Sequence, residues 1–142
     1  MSNLYTTKVA VVGGRNGIAR SDDGLLELQL APPPEMGGRG GATNAEQLFA
    51  AGYAACFGSA MMYAARQKAI KIKDDDIEVV AEVGIGPTES GGFTLSIALD
   101  VRVAGCDYAT AEEIVRAAHE VCPYSNAVKG NIDVQLTTIG SP

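Results

Sequence analysis

Three cysteines, at positions 56, 106 and 122, are the residues of this 142-residue chain best suited to chemistry. Their number is odd, their spacing is wide and none forms a CxxC pair, so they do not read as a secreted disulfide framework. Free or redox-active thiols are the better reading. Cys56 lies inside an apolar segment, where a cysteine is either a small buried hydrophobe or a reactive thiol, and its surroundings alone leave both open. Cys122 is followed by Pro123. As a helix N-cap with proline at the first helical position it would have backbone N–H groups aimed at its sulfur, which favours a thiolate. As the last residue of a preceding helix it would only pack. On residue types alone Cys122 is the more acidic of the two, and Cys106, in the turn Ala104-Gly105-Cys106-Asp107, receives no role.

A thiolate needs a cation, and Arg15 sits in the glycine-rich turn Gly13-Gly14-Arg15-Asn16-Gly17, where the backbone can fold a long side chain inward. The alternative is a solvated turn arginine. Glu46 fits the third position after Thr43 in a capping box, which by itself accounts for it, but a buried arginine also needs a carboxylate partner and Glu46 is the candidate. Two weaker patterns fall away. The stretch Val11 to Gly17 is not G-x-G-x-x-G and opens no helix, and His119 with Cys122 at i, i+3 has no second pair with which to hold a metal. His119 reads as a polar-face helix residue.

These side chains must be positioned by strands and helices. Leu4 to Val12 alternates as a strand, a loop runs through Ser21-Asp22-Asp23-Gly24, and Leu26, Leu28 and Leu30 share a second strand face that Pro32-Pro33-Pro34 ends. From Ala45 to about Ala69 the chain is apolar nearly all the way round, which predicts a central, mostly buried helix. Its small residues and its capping argue against a membrane span. Ile77 to Ile85 and Phe93 to Val103 predict a hairpin, with Gly84 to Gly92 as its loop. Thr110-x-x-Glu113 predicts a second capping box, and Ile114, Ala117, Ala118 and Val121 one helical face. Ile132, Val134 and Leu136 alternate as a closing strand. The order β-β-α-β-β-α-β is an α+β fold, expected as a single domain over 1–142.

A net charge of −6 and a pI near 4.7 oppose attraction to phosphate backbones or anionic lipid, so neither nucleic acid nor membrane is an expected partner. Residues Met1 to Lys8 lack a basic region followed by an apolar run, and the expected location is the cytoplasm.

The segment Glu46 to Phe57 resembles the helix bearing the first reactive cysteine of organic hydroperoxide resistance proteins, in the Ohr/OsmC superfamily. Cys122-Pro123-Tyr124-Ser125-Asn126-Ala127 resembles the segment bearing their second, and the turn at Gly13 to Gly17 the one bearing their active-site arginine. The resemblance runs from about Leu4 to Thr138, in the family's order. It implies an OsmC-like fold and an intertwined homodimer whose central helices pack together, with two equivalent sites at the subunit interface. It further implies Cys56 as peroxidatic thiol, Cys122 as resolving thiol, Arg15 and Glu46 as the activating pair, and Tyr124 as a neighbour of the site. The activity so implied is reduction of alkyl or fatty-acid hydroperoxides with no bound metal, flavin or haem, and regeneration by a dithiol such as a lipoylated protein. Two features depart from the pattern: the loop before Thr43 is about a residue shorter and carries Arg39, and Arg20 is an additional arginine. Either is a competitor of Arg15 for the carboxylate. A non-enzymatic alternative is a dimer that binds a hydrophobic ligand, with the two cysteines as a redox-sensitive latch.

Overall fold

The structure, a computed structural model, describes residues 1–141, and the chain folds as two compact units that divide after Leu48. The first unit is an antiparallel sheet of three short strands, β1 (Val9–Val12), β2 (Ile18–Ser21) and β3 (Glu27–Gln29), in that order. A single 3-10 turn, Gly14–Asn16, joins β1 to β2. Gly13 supports that turn with a φ of 94°, and a side chain at Gly17 would collide with the Val12 carbonyl oxygen, so both positions require glycine. β2 is a strand that the alternation does not announce, because Ile18-Ala19-Arg20-Ser21 is too short to show a period. β1 is shorter than expected, and Leu4 to Lys8 stays outside it.

The long helix α1 (Ala45–Gln67) begins in the first unit and runs through the second. Its cap corrects the sequence expectation. Asn44, not Thr43, is the N-cap: the Gln47 backbone N–H donates to Asn44 Oδ1 at 2.8 Å, while Thr43 Oγ1 turns to Gln47 Oε1 at 2.7 Å. Glu46 is therefore released from capping duty. Although α1 is long and apolar enough to cross a membrane, it buries one face, formed by Tyr53, Phe57, Ala60, Met61, Ala64 and Ala65, in the protein core. On the other side Ala51, Ala55, Ser59 and Tyr63 are exposed in the single chain, where burial on most sides was expected.

The rest of the second unit is a sheet in the order β4 (Ile77–Pro87), β5 (Phe93–Ala104), β6 (Gln135–Ser141), with β4 antiparallel and β6 parallel to β5. The hairpin is as expected, with a tighter loop closed by Thr88 and Gly92. Alternate residues of β5, Ile97, Leu99, Val101 and Val103, are buried and meet the buried face of α1 in one apolar cluster. A second helix, α2 (Tyr108–Val121), adds Ala111, Ile114, Val115 and Ala118 to it. This helix starts two residues before Thr110, because Asp107 accepts the Thr110 N–H at 2.8 Å and is the true cap. The buried face shifts accordingly, and Val121 is left exposed. A short helix, α3 (Pro123–Val128), follows at once. The α+β class holds, with β2 and α3 added to the expected order.

Candidate active site

Cys56 and Cys122 come together in the second unit, close enough for Cys122 to bear on the ionisation of Cys56. Cys56 is half-buried on α1, and Cys122 is fully buried at the junction where α2 ends and α3 begins. Pro123 at the first helical position makes Cys122 the N-cap of α3, as its sequence suggested, but its sulfur accepts no capping hydrogen bond. The backbone N–H of the second helical residue, Tyr124, bears on Cys56 instead and pulls its thiol down.

Burial is the largest influence on Cys56 and pushes its thiol up from the ordinary value, and a charge on Cys122 pushes the same way. The Tyr124 N–H pulls it down and the neighbouring Cys122 thiol pushes it up again. The net direction is upward, so these neighbours hold Cys56 as a thiol at neutral pH. Cys106 is likewise raised, first by burial and then by Asp107 and Asp76.

The aromatic residues form the wall around the thiols. A Cβ at Gly52 would strike the Tyr124 hydroxyl, so this glycine gives the ring its seat on α1. Tyr124 then packs edge-on to Phe49 at 6.0 Å and tilted against Tyr53 at 5.5 Å between centroids. Tyr53, one turn before Cys56, is fully buried, and its hydroxyl shares a 2.7 Å hydrogen bond with Ser125 Oγ. Ser125 in turn is 2.9 Å from His119 Nδ1. His119 is thus no mere polar-face residue. The sequence signal was there in the spacing: His119, Cys122 and Ser125 recur every three residues, and Tyr53 precedes Cys56 by three. Beside the outer residues of this chain lies a pocket of about 210 Å³, reached by His119, Ser125 and Lys129.

In the first unit, Arg15 Nη1 donates to both oxygens of Glu46, at 2.7 and 3.1 Å. Glu46 is the more enclosed partner, at 15% exposure against 41% for Arg15. The hydrogen bond and the charge of Glu46 raise the guanidinium above its ordinary range, which keeps it cationic. Arg15 Nε and Nη2 make no hydrogen bond among the described residues, so the fork has donors to spare. Neither competitor takes the carboxylate: Arg20 pairs with Glu27 at 3.2 Å, and Arg39 donates to the Leu30 carbonyl at 3.1 Å.

Comparison with known proteins converges on one group. Residues 38–137 match the family model described as OsmC-like protein. The chain is 49% identical over 135 residues to the organic hydroperoxide resistance protein of Xanthomonas axonopodis pv. citri, covering 94% of each chain. It is 46% identical to the organic hydroperoxide resistance protein OhrB of Bacillus subtilis, covering 94% of this chain and 96% of that one. Its structure is similar to the crystal structure of an organic hydroperoxide resistance protein from Legionella pneumophila, with a TM-score of 0.92 and 50% identity, covering 97% and 99% of the two chains.

Proposed function

Because this chain belongs to the OsmC-like protein family and, within it, to the organic hydroperoxide resistance proteins, we propose that it reduces organic hydroperoxides as a two-cysteine peroxidase. One observation carries the reading: two free thiols lie close together, Cys56 half-buried and Cys122 fully buried. That is the arrangement needed by a nucleophile and the thiol that resolves it. The Cys56 thiolate attacks the distal oxygen of the hydroperoxide; an S–O bond forms, the O–O bond breaks, and the alkoxide takes a proton and leaves as an alcohol. Cys122 then attacks the sulfenic acid. The S–S bond forms, the S–O bond breaks, and the hydroxyl leaves as water with the proton of Cys122, which keeps Cys56 off the irreversible oxidation steps. An external dithiol, for which a lipoyl group is the proposed form, reduces the disulfide, and no metal, flavin or haem enters the scheme.

The raised Cys56 thiol makes the cation essential to this reading. Arg15, held by Glu46 with free N–H groups, is that cation, stabilising the thiolate and the negative charge that develops on the peroxide oxygens. Glu46 and Cys56 are ten residues apart on α1, a rise of about 15 Å along the helix axis. In the dimer we propose, the pair serves the Cys56 of a second copy. The exposed small residues Ala51, Ala55 and Ser59 fit such a dimer, since they allow two α1 helices to approach closely. An open groove of about 480 Å³ runs beside them, lined by Ala54, Gly58, Met62 and Ile77 among others. The apolar cluster against which Cys56 packs, with Phe49, Tyr53 and Tyr124, favours an alkyl or fatty-acid hydroperoxide over hydrogen peroxide.

The test is peroxide consumption by wild type, Cys56→Ser and Cys122→Ser, comparing cumene hydroperoxide with hydrogen peroxide and dihydrolipoamide with a monothiol. Steady turnover of the organic peroxide with dihydrolipoamide, lost in Cys56→Ser, is expected. A wild type that oxidises once and then stops with every dithiol would replace the enzyme with a redox latch. Mixing Arg15→Ala with Cys56→Ser, each inactive alone, restores turnover if the pair acts across the dimer and leaves none if it acts within one chain.

A further inference from the structure

The hydroxyl chain Tyr53–Ser125–His119 connects three elements around the resolving thiol: Tyr53 lies on α1, His119 on α2 and Ser125 on α3. Each end is tied to one of the thiols by position. Tyr53 stands one turn before Cys56, and Cys122 is midway between His119 and Ser125. The chain therefore links the segments on either side of the interval that an S–S bond must close. Tyr53 and Ser125 are 0% and 3% exposed, so their hydroxyls have no water to fall back on: losing Ser125 leaves the Tyr53 hydroxyl unpaired, and losing Tyr53 or His119 takes one of the two bonds of Ser125. Ser125 has one proton to give: when it donates to His119 Nδ1 it accepts from Tyr53, and when His119 donates the direction reverses. In either direction both bonds persist.

We propose that Tyr53, Ser125 and His119 are positioning residues for the resolving step, holding the α2–α3 junction so that the Cys122 sulfur faces the sulfenic acid of Cys56. This rests on the two-cysteine reading. The first chemical step, attack of Cys56 on peroxide, does not draw on the chain; the second does. Loss of the chain lengthens the life of the sulfenic acid and exposes it to a second peroxide, which carries Cys56 to the sulfinic acid.

Single-turnover oxidation of the full-length reduced protein separates the two steps. Tyr53→Phe keeps the ring and removes the hydroxyl, His119→Ala removes the outer bond, and His119→Asn puts an amide where Nδ1 was. Loss of the Cys56 thiol, appearance of the Cys56–Cys122 disulfide and sulfinic acid by mass are followed after cumene hydroperoxide is added. The expected result is disulfide formation slowed roughly tenfold in Tyr53→Phe and His119→Ala, each of which removes one of the two hydrogen bonds of Ser125. More sulfinic acid should form, thiol loss should be unchanged, and His119→Asn should recover most of the rate. Disulfide formation at the wild-type rate in both variants overturns the proposal, and so does an equal fall in both steps, which marks general damage to the site. A wild type that never forms the disulfide overturns the peroxidase reading and this inference with it, an outcome distinct from either of the others.

Discussion

The two units differ in how they treat their apolar residues. In the second, Tyr53, Phe57, Met61, Leu99 and Val101 are fully buried in one cluster that also holds Cys122. In the first, every residue of β1 is exposed, and the buried apolar side chains are Ala19, Leu30 and Ala31. The chemistry divides along the same line. The thiols, which need fixed separation and a dry setting, are built into the well-packed unit, and its dryness is what pushes Cys56 towards the neutral thiol. The guanidinium proposed as the partner of that thiolate is carried by a thin sheet and a glycine turn.

The sharpest way to break this contrast is to cut one side chain from each unit. Phe57→Ala, at 0% exposure, is expected to lower stability by about 3–5 kcal/mol, whereas Val11→Ala in β1 should change it by no more than about 0.5 kcal/mol. Urea unfolding of both variants measures the difference. A Val11→Ala cost that grows with protein concentration would instead show that a second copy covers β1.

The division of chemical labour is tested at Arg15. The Cys56 thiol is raised by its own unit; under the role proposed for Arg15, removing the cation moves it further up, and the rate of Cys56 alkylation at neutral pH falls because less thiolate is present. Arg15→Gln is expected to slow alkylation at pH 7 by about tenfold or more, one unit of pKa, and to move the rise of the rate-pH profile to higher pH. Loss of the rate at pH 7 should be recovered above the new value. An unchanged profile would mean that the cation comes from elsewhere.

How legible this was from residues alone differs between the units too. The α1 and β5 assignments followed from long apolar patterns, because a 23-residue helix and a 12-residue strand show their period several times over. β2, with four residues, and α3, with six, show theirs barely once, and only pairing and packing reveal them. At the site, the pairing of Arg15 with Glu46 was named through the resemblance, and the structure brings the two together. Which thiol the Tyr124 N–H bears on was not legible, because that depends on how the start of α3 lies against α1. The ties of Ser125 to Tyr53 and His119 were hidden for the same reason. Tyr53 is 72 residues away in sequence and belongs to another helix.

The smallest expected effect tests the correction at the start of α1, where the first unit's carboxylate is set. With Asn44 as the cap, Asn44→Ala removes the acceptor of the Gln47 N–H and should cost about 1 kcal/mol. Thr43→Ala, which loses only a bond to the Gln47 side chain, should cost a few tenths. A Thr43-based capping box reverses that order, so thermal or urea unfolding of the two variants decides between the caps. The same pair reports on function. Asn44→Ala frays the turn on which Glu46 receives Arg15, and peroxide turnover should fall, though less than in Arg15→Gln, because the ion pair is loosened without loss of either charge.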